Sequence, residues 1–98
     1  MPVPKYDNEA QQLRSLASAD GVTIACSPHA DDEMRKDHQT RPDILTILRA
    51  CSVVNIELVN SEWRWTAEGT NADSEVVNVV VVVDEPNLRI DVITVWKV

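Results

Sequence analysis

The sequence predicts a single α+β domain, with N-terminal helices packed on a mainly antiparallel sheet of four to five strands, in the order α-β-α-α-β-β-β-β. Three observations predict it. Apolar residues recur at mainly helical spacing up to Cys51 and alternate after it. Ser27-Pro28 and Thr40-Arg41-Pro42 are helix-opening signals. Val76 to Val83 is almost all valine, the pattern of a central strand buried on both faces. A chain of 98 residues makes one domain, residues 1–98, with little surplus stability. Residues 1–6 are expected to be flexible.

Taken in order, Asp7 to Ala19 carries Ala10, Leu13, Leu16 and Ala17 on one helical face, with Asp7 or Asn8 as cap and Gly21 closing the end. Val22 to Cys26 is short and β-branched, hence a strand. Ser27 then caps a second helix, Pro28 takes its first position, and Asp31, Asp32 and Glu33 suit its positive end. Ala30 and Met34 give it a thin apolar stripe. Thr40 caps a third helix whose buried face is Ile44, Leu45, Ile47, Leu48 and Cys51. Strands follow at Ser52 to Val59 and Trp63 to Thr66. A polar loop is expected at Glu68 to Ser74 around Gly69, then the valine strand, a turn at Asp84 to Asn87, and a last strand from Leu88 to Trp96.

Alternation assigns faces. Helices are expected over Val54, Ile56, Leu58, Trp63 and Trp65, which makes both tryptophans core residues. The other face then carries Asn55, Glu57, Arg64, Thr66, Asn78, Arg89 and Asp91. By parity it also carries Val80, Val82, Ile93 and Val95, so half of it is polar and half apolar. The first helix, a second subunit or a partner must cover the apolar half.

Composition narrows function. The formal net charge is −7, opposite to the basic patch of a free-standing nucleic-acid binder; it fits solubility, a basic protein partner or a carboxylate-bearing site, and leaves room for a local basic groove. Cys26 and Cys51 form no CxxC or Cys/His cluster, so no structural zinc is expected, and both read as small buried residues. No apolar run is long enough to cross a membrane and Met1 to Lys5 lacks a signal-peptide core, so a cytoplasmic location is expected. No P-loop, dinucleotide fingerprint or nucleophile elbow occurs, and no cofactor is expected.

Ser27-Pro28-His29-Ala30, then Glu33-Met34, then Thr40-Arg41-Pro42-Asp43-Ile44 with Ile47-Leu48, and the ending Leu88-Arg89-Ile90 with Val92-Ile93-Thr94-Val95-Trp96, together resemble a small domain family of unknown function. That family is related to the BrnT, RelE and ParE toxins. The resemblance spans residues 22–97, about three quarters of the chain. It implies a RelE-like fold and a toxin of a toxin–antitoxin pair, a metal-independent mRNA endoribonuclease with a cognate antitoxin. The chain departs from the family in being acidic, in carrying Trp96 where tyrosine is common, and in closing on Lys97 and Val98 without a catalytic tail.

Under that reading His29, in the first turn of a helix, is the general acid/base, oriented by Glu33 one turn on. Arg64 and Arg89 grip the phosphate. Each has an ordinary alternative. His29 can simply bond the helix start, and Arg64 can pair across strands with Glu57. Trp63 and Trp65 can stack bases, or lie under the helices. The alternative function is a non-catalytic protein-interaction module of the same fold, either regulatory or a phage-encoded inhibitor, that uses an acidic or half-apolar surface. A homodimer is also expected. Acidic surroundings at His29, or an Arg64 consumed in ion pairs, favour the module.

Overall fold

The computed structural model describes residues 5–98 and is an α+β domain of three helices and one five-stranded mixed sheet. The elements are α1 (Asp7–Ala17), β1 (Thr23–Cys26), α2 (Pro28–Lys36), α3 (Arg41–Arg49), β2 (Ser52–Val59), β3 (Glu62–Thr70), β4 (Val76–Asp84) and β5 (Arg89–Lys97). A single 3-10 turn at Glu85–Asn87 joins the last two strands. The strand order is β1-β5-β4-β3-β2; β1 runs parallel to β5 and every other pair is antiparallel. The valine strand β4 is therefore central. Of the residues expected to be flexible, 1–4 lie outside the described part of the chain.

Local chemistry sets the helix starts. Ser27 Oγ accepts from Ala30 N at 3.0 Å and donates to Ile93 O at 2.7 Å, so one hydroxyl caps α2 and ties it to β5. Thr40 and Asp43 form a reciprocal capping box on α3, at 3.3 and 2.8 Å. The start of α1 differs from expectation. Its cap position is Tyr6, without a side-chain cap, and Asp7 is already helical and accepts from Gln11 instead. Two arginines then fix α1 against the end of α3. Arg49 Nε donates to Ala17 O at 3.0 Å, and Arg14 Nη1 donates to Cys51 O at 2.8 Å. Cys51 lies just beyond α3 rather than in it, and is still buried.

All three helices lie on one face of the sheet. Leu13, Leu16, Ala30, Met34, Ile47 and Leu48 form one core with Val53, Ala67, Val77, Val79, Val81, Ile90, Val92 and Val95. The sequence left three covers for the apolar half of the other face, α1, a second subunit or a partner, and α1 is not the one. It packs instead on α3 and β2, and among the described residues no helix lies over the second face.

Two β-bulges account for the residues that parity misplaced. The β2–β3 register shifts between Val53 and Asn55, so Val54 is an extra residue. Val53 is thereby buried, Ile56 half-buried, and Val54 exposed. The β4–β5 register shifts by one at Ile93, which moves Val95 to the helical side, where it is fully buried. Trp65 does pack against the core. Trp63 points to the same side yet is 58% exposed, because the β2–β3 hairpin outruns the helical layer.

The expected loop from Glu68 is also corrected, since β3 continues to Thr70. Gly69 is therefore not a loop marker. A Cβ there would sit 2.9 Å from Ile47 Cγ2 and 3.1 Å from Ile47 O, so the glycine allows α3 to close on the sheet.

Candidate functional site on the open sheet face

The uncovered face is defined by residues that the register places together. Across β2 and β3 these include Glu57 opposite Arg64 and Asn55 opposite Thr66. Glu68 faces Asn78 and Thr66 faces Val80 between β3 and β4. On β4 and β5 they include Val80 opposite Thr94, Val82 opposite Asp91, and Asp84 opposite Arg89. Among the described residues, Glu57, Glu62, Glu68, Asp84 and Asp91 thus share a face with only two cations, Arg64 and Arg89. Val80 is nearly buried there without a helix above it, and Trp96 at the far end of β5 is 40% exposed.

A cleft of about 240 Å³ opens on this face, lined by Ala25, Ser27, Glu62, Arg89, Asp91 and Ile93, among others. Glu62 reaches it from the start of β3. The two arginines are not free. Arg64 Nε donates to Glu62 Oε1 at 3.3 Å. Arg89 donates to Asp91 Oδ1 through Nε at 3.0 Å and through Nη2 at 2.9 Å. The hydrogen bond and the charge of Asp91 hold Arg89 above its ordinary pKa. Each pair is spaced two residues apart along one strand, so both members face the same way. The sequence carries these pairs as Glu62-Trp63-Arg64 and Arg89-Ile90-Asp91. Glu62 was missed because Glu57, opposite Arg64, is the obvious cross-strand partner. Glu57 is indeed in register with Arg64, but the ion pair is made with Glu62.

His29 and Glu33 lie elsewhere. His29 is exposed in the first turn of α2 and, among the described residues, makes no hydrogen bond or ion pair. Glu33 is 3.7 Å from Lys36. Their neighbours Asp32 and Asp31 are 3.6 Å from Arg35 and 3.9 Å from Arg41. His29 and Glu33 lie on α2, whose Ala30 and Met34 pack into the helical core, whereas Arg64 and Arg89 lie on β3 and β5. The structure brings together the arginines with their carboxylates, not the arginines with the histidine.

Neither cysteine offers a ready thiolate. Cys26 and Cys51 are both free thiols. Burial pushes the Cys26 thiol above its ordinary value, with nearby Arg41 pulling the other way. Burial pushes Cys51 up to about 11. Among the described residues, no group of three His, Cys, Asp or Glu side chains is placed to hold a metal ion, and no helix is long and apolar enough to cross a membrane.

No family profile matches the chain, and neither does any curated protein or solved structure.

Proposed function

We propose that this chain is a RelE-like, non-catalytic protein-interaction module that acts in the cytoplasm and docks a basic protein partner on its open sheet face. The observation that carries this reading is the engagement of both sheet arginines by carboxylates on their own strands. An incoming phosphate would have to displace Glu62 and Asp91 and approach Glu57, Glu68 and Asp84 on the same face. Coulomb repulsion opposes that approach at short range, where salt screens least. Metal-independent RNA cleavage also needs its acid/base within hydrogen-bond reach of the 2′-hydroxyl that attacks the phosphate the arginines would hold. Among the described residues, His29 makes no hydrogen bond or ion pair with Arg64, Arg89 or their carboxylates.

The same face suits a protein. It combines an acidic border with a strip of Val80, Val82, Thr66, Thr94 and Trp96, which is the mixture of apolar centre and polar rim found at interfaces. A basic partner would pair with the carboxylates that Arg64 and Arg89 leave unmatched, and its association would slow as salt rises.

The test is ribonuclease activity on free and ribosome-bound RNA, together with growth after induced expression. Wild type is compared with His29→Ala, Glu33→Ala, Arg64→Ala and Arg89→Ala. The module predicts intact RNA and normal growth for all five proteins. RNA cleavage by wild type that disappears in His29→Ala or Arg64→Ala, at equal protein levels, overturns it in favour of the toxin.

A further inference from the structure

The turn that ends α2 fixes Gln39. His38 N donates to Arg35 O at 3.3 Å, Gln39 N donates to Met34 O at 2.8 Å, and His38 is in the left-handed region at φ 55°. This is the Schellman ending of a helix, in which the residue at the Gln39 position ordinarily makes an apolar contact with the residue at the Met34 position. Here that position holds a glutamine. It is 9% exposed, and among the described residues neither its Nε2 nor its Oε1 has a hydrogen-bond partner. A buried donor and acceptor left unmade destabilise the fold, and an apolar side chain of similar length removes that loss. The helix ending and the burial both favour methionine or leucine, yet the chain carries an amide.

A cleft of about 370 Å³ opens beside it, between α2 and the start of α3, lined by Asp31, Met34, Arg35, Gln39, Thr40 and Arg41. Its lining reverses the charge balance of the chain, with two guanidiniums to one carboxylate. These guanidiniums are held loosely. Arg35 stands 3.6 Å from Asp32 and Arg41 stands 3.9 Å from Asp31, both beyond hydrogen-bond length. The sheet arginines, by contrast, meet their carboxylates at 3.3 and 2.9 Å. A guanidinium has several N–H donors, so Arg35 and Arg41 keep donors to offer a ligand.

We infer that this cleft binds the C-terminal end of a peptide chain. Arg35 and Arg41 take the terminal carboxylate. The Gln39 amide turns outward on its side-chain torsions and pairs with the last peptide group, donating from Nε2 to its carbonyl and accepting at Oε1 from its N–H. A primary amide presents a donor and an acceptor side by side, the complement of a peptide group. The backbone of Gln39 keeps its place, held by the bond to Met34 O. An inorganic anion would use the arginines and leave Oε1 unmatched, so the amide sets the class of ligand.

The experiment is a nuclear magnetic resonance titration of the isotope-labelled chain, with thermal unfolding alongside. The probes are acetyl-Ala-Ala-Ala as its free acid, the same peptide as its C-terminal carboxamide, and inorganic phosphate. The free acid is expected to shift the Gln39 side-chain amide signals saturably, together with the backbone signals of Thr40 and Arg41. The carboxamide and phosphate are expected to bind at least about tenfold more weakly. Gln39→Met is expected to unfold at a higher temperature than wild type and to bind the free acid at least about tenfold more weakly. The absence of a saturable shift in wild type overturns the inference. So does equal binding of the carboxamide or of phosphate, or equal binding of the free acid by Gln39→Met. A Gln39→Met chain that unfolds below wild type also overturns it, because the amide would then already have a partner inside the fold.

Discussion

The two faces of the sheet are built from the same strands on opposite terms. On the helical side Val77, Val79, Val81, Ile90, Val92 and Val95 are all fully buried under three helices. One residue along, Asn78, Val80, Val82, Asp91 and Thr94 face outward among carboxylates. Burial of apolar area is what stabilises so small a domain, so the helical side carries the fold. The open side is nearly free of that duty, so its composition is not fixed by the core. Its ion pairs are exposed and contribute little to stability.

That contrast is sharpest in the core. Ile90→Ala on the helical side is expected to cost about 2–5 kcal/mol, whereas Val82→Ala on the open side costs under about 1 kcal/mol, read by urea unfolding. Equal costs would break the comparison. Gly69→Ala tests the fit of α3 on the same side. The added methyl meets Ile47 at both side chain and backbone, so a loss of about 1–3 kcal/mol is expected. A neutral result would mean that α3 shifts freely on the sheet. Thr40→Ala removes half of the capping box and should cost about 1 kcal/mol. At the small end, Arg64→Ala on the open face should change stability by no more than about 0.5 kcal/mol while it alters the charge offered to a partner.

The thiols give a pH-dependent version. Cys51 ionises at about 11 in the folded chain and near the ordinary thiol value when unfolded. Its contribution to stability is therefore complete below the ordinary value and is lost as pH rises through about 11. Alkylation at mildly alkaline pH should label Cys26, which is half-buried, before the buried Cys51. The reverse order would show that the helical side opens more readily than its burial implies.

Local signals were legible in the sequence. Ser27-Pro28 and Thr40-Arg41-Pro42 each mark a helix start, since caps are short-range chemistry. Ser52 to Val59 was legible to its ends, and the two-sided apolar run of β4 foretold its place at the sheet centre. What was not legible depends on a partner in space. The bulges at Val54 and Ile93 flip parity and arise from how neighbouring strands meet. Gly69 reads as a loop until Ile47 is placed against it. Trp63 reads as core until the helical layer is seen to end before it. At the site, period two put Arg64, Arg89 and Asp91 on one face. The capture of Arg64 by Glu62 rather than Glu57, and of Arg89 by Asp91, needed the fold.

The open face as a protein-docking surface is tested most directly by photo-crosslinking in the cells that express the chain, with the crosslinking side chain at Thr66 on that face and, as control, at Ser15 on the exposed side of α1. The prediction is a discrete protein adduct from position 66, resistant to nuclease and weakened by Glu57→Lys, with none from position 15. A nuclease-sensitive adduct from position 66, or no adduct there at all, would contradict it.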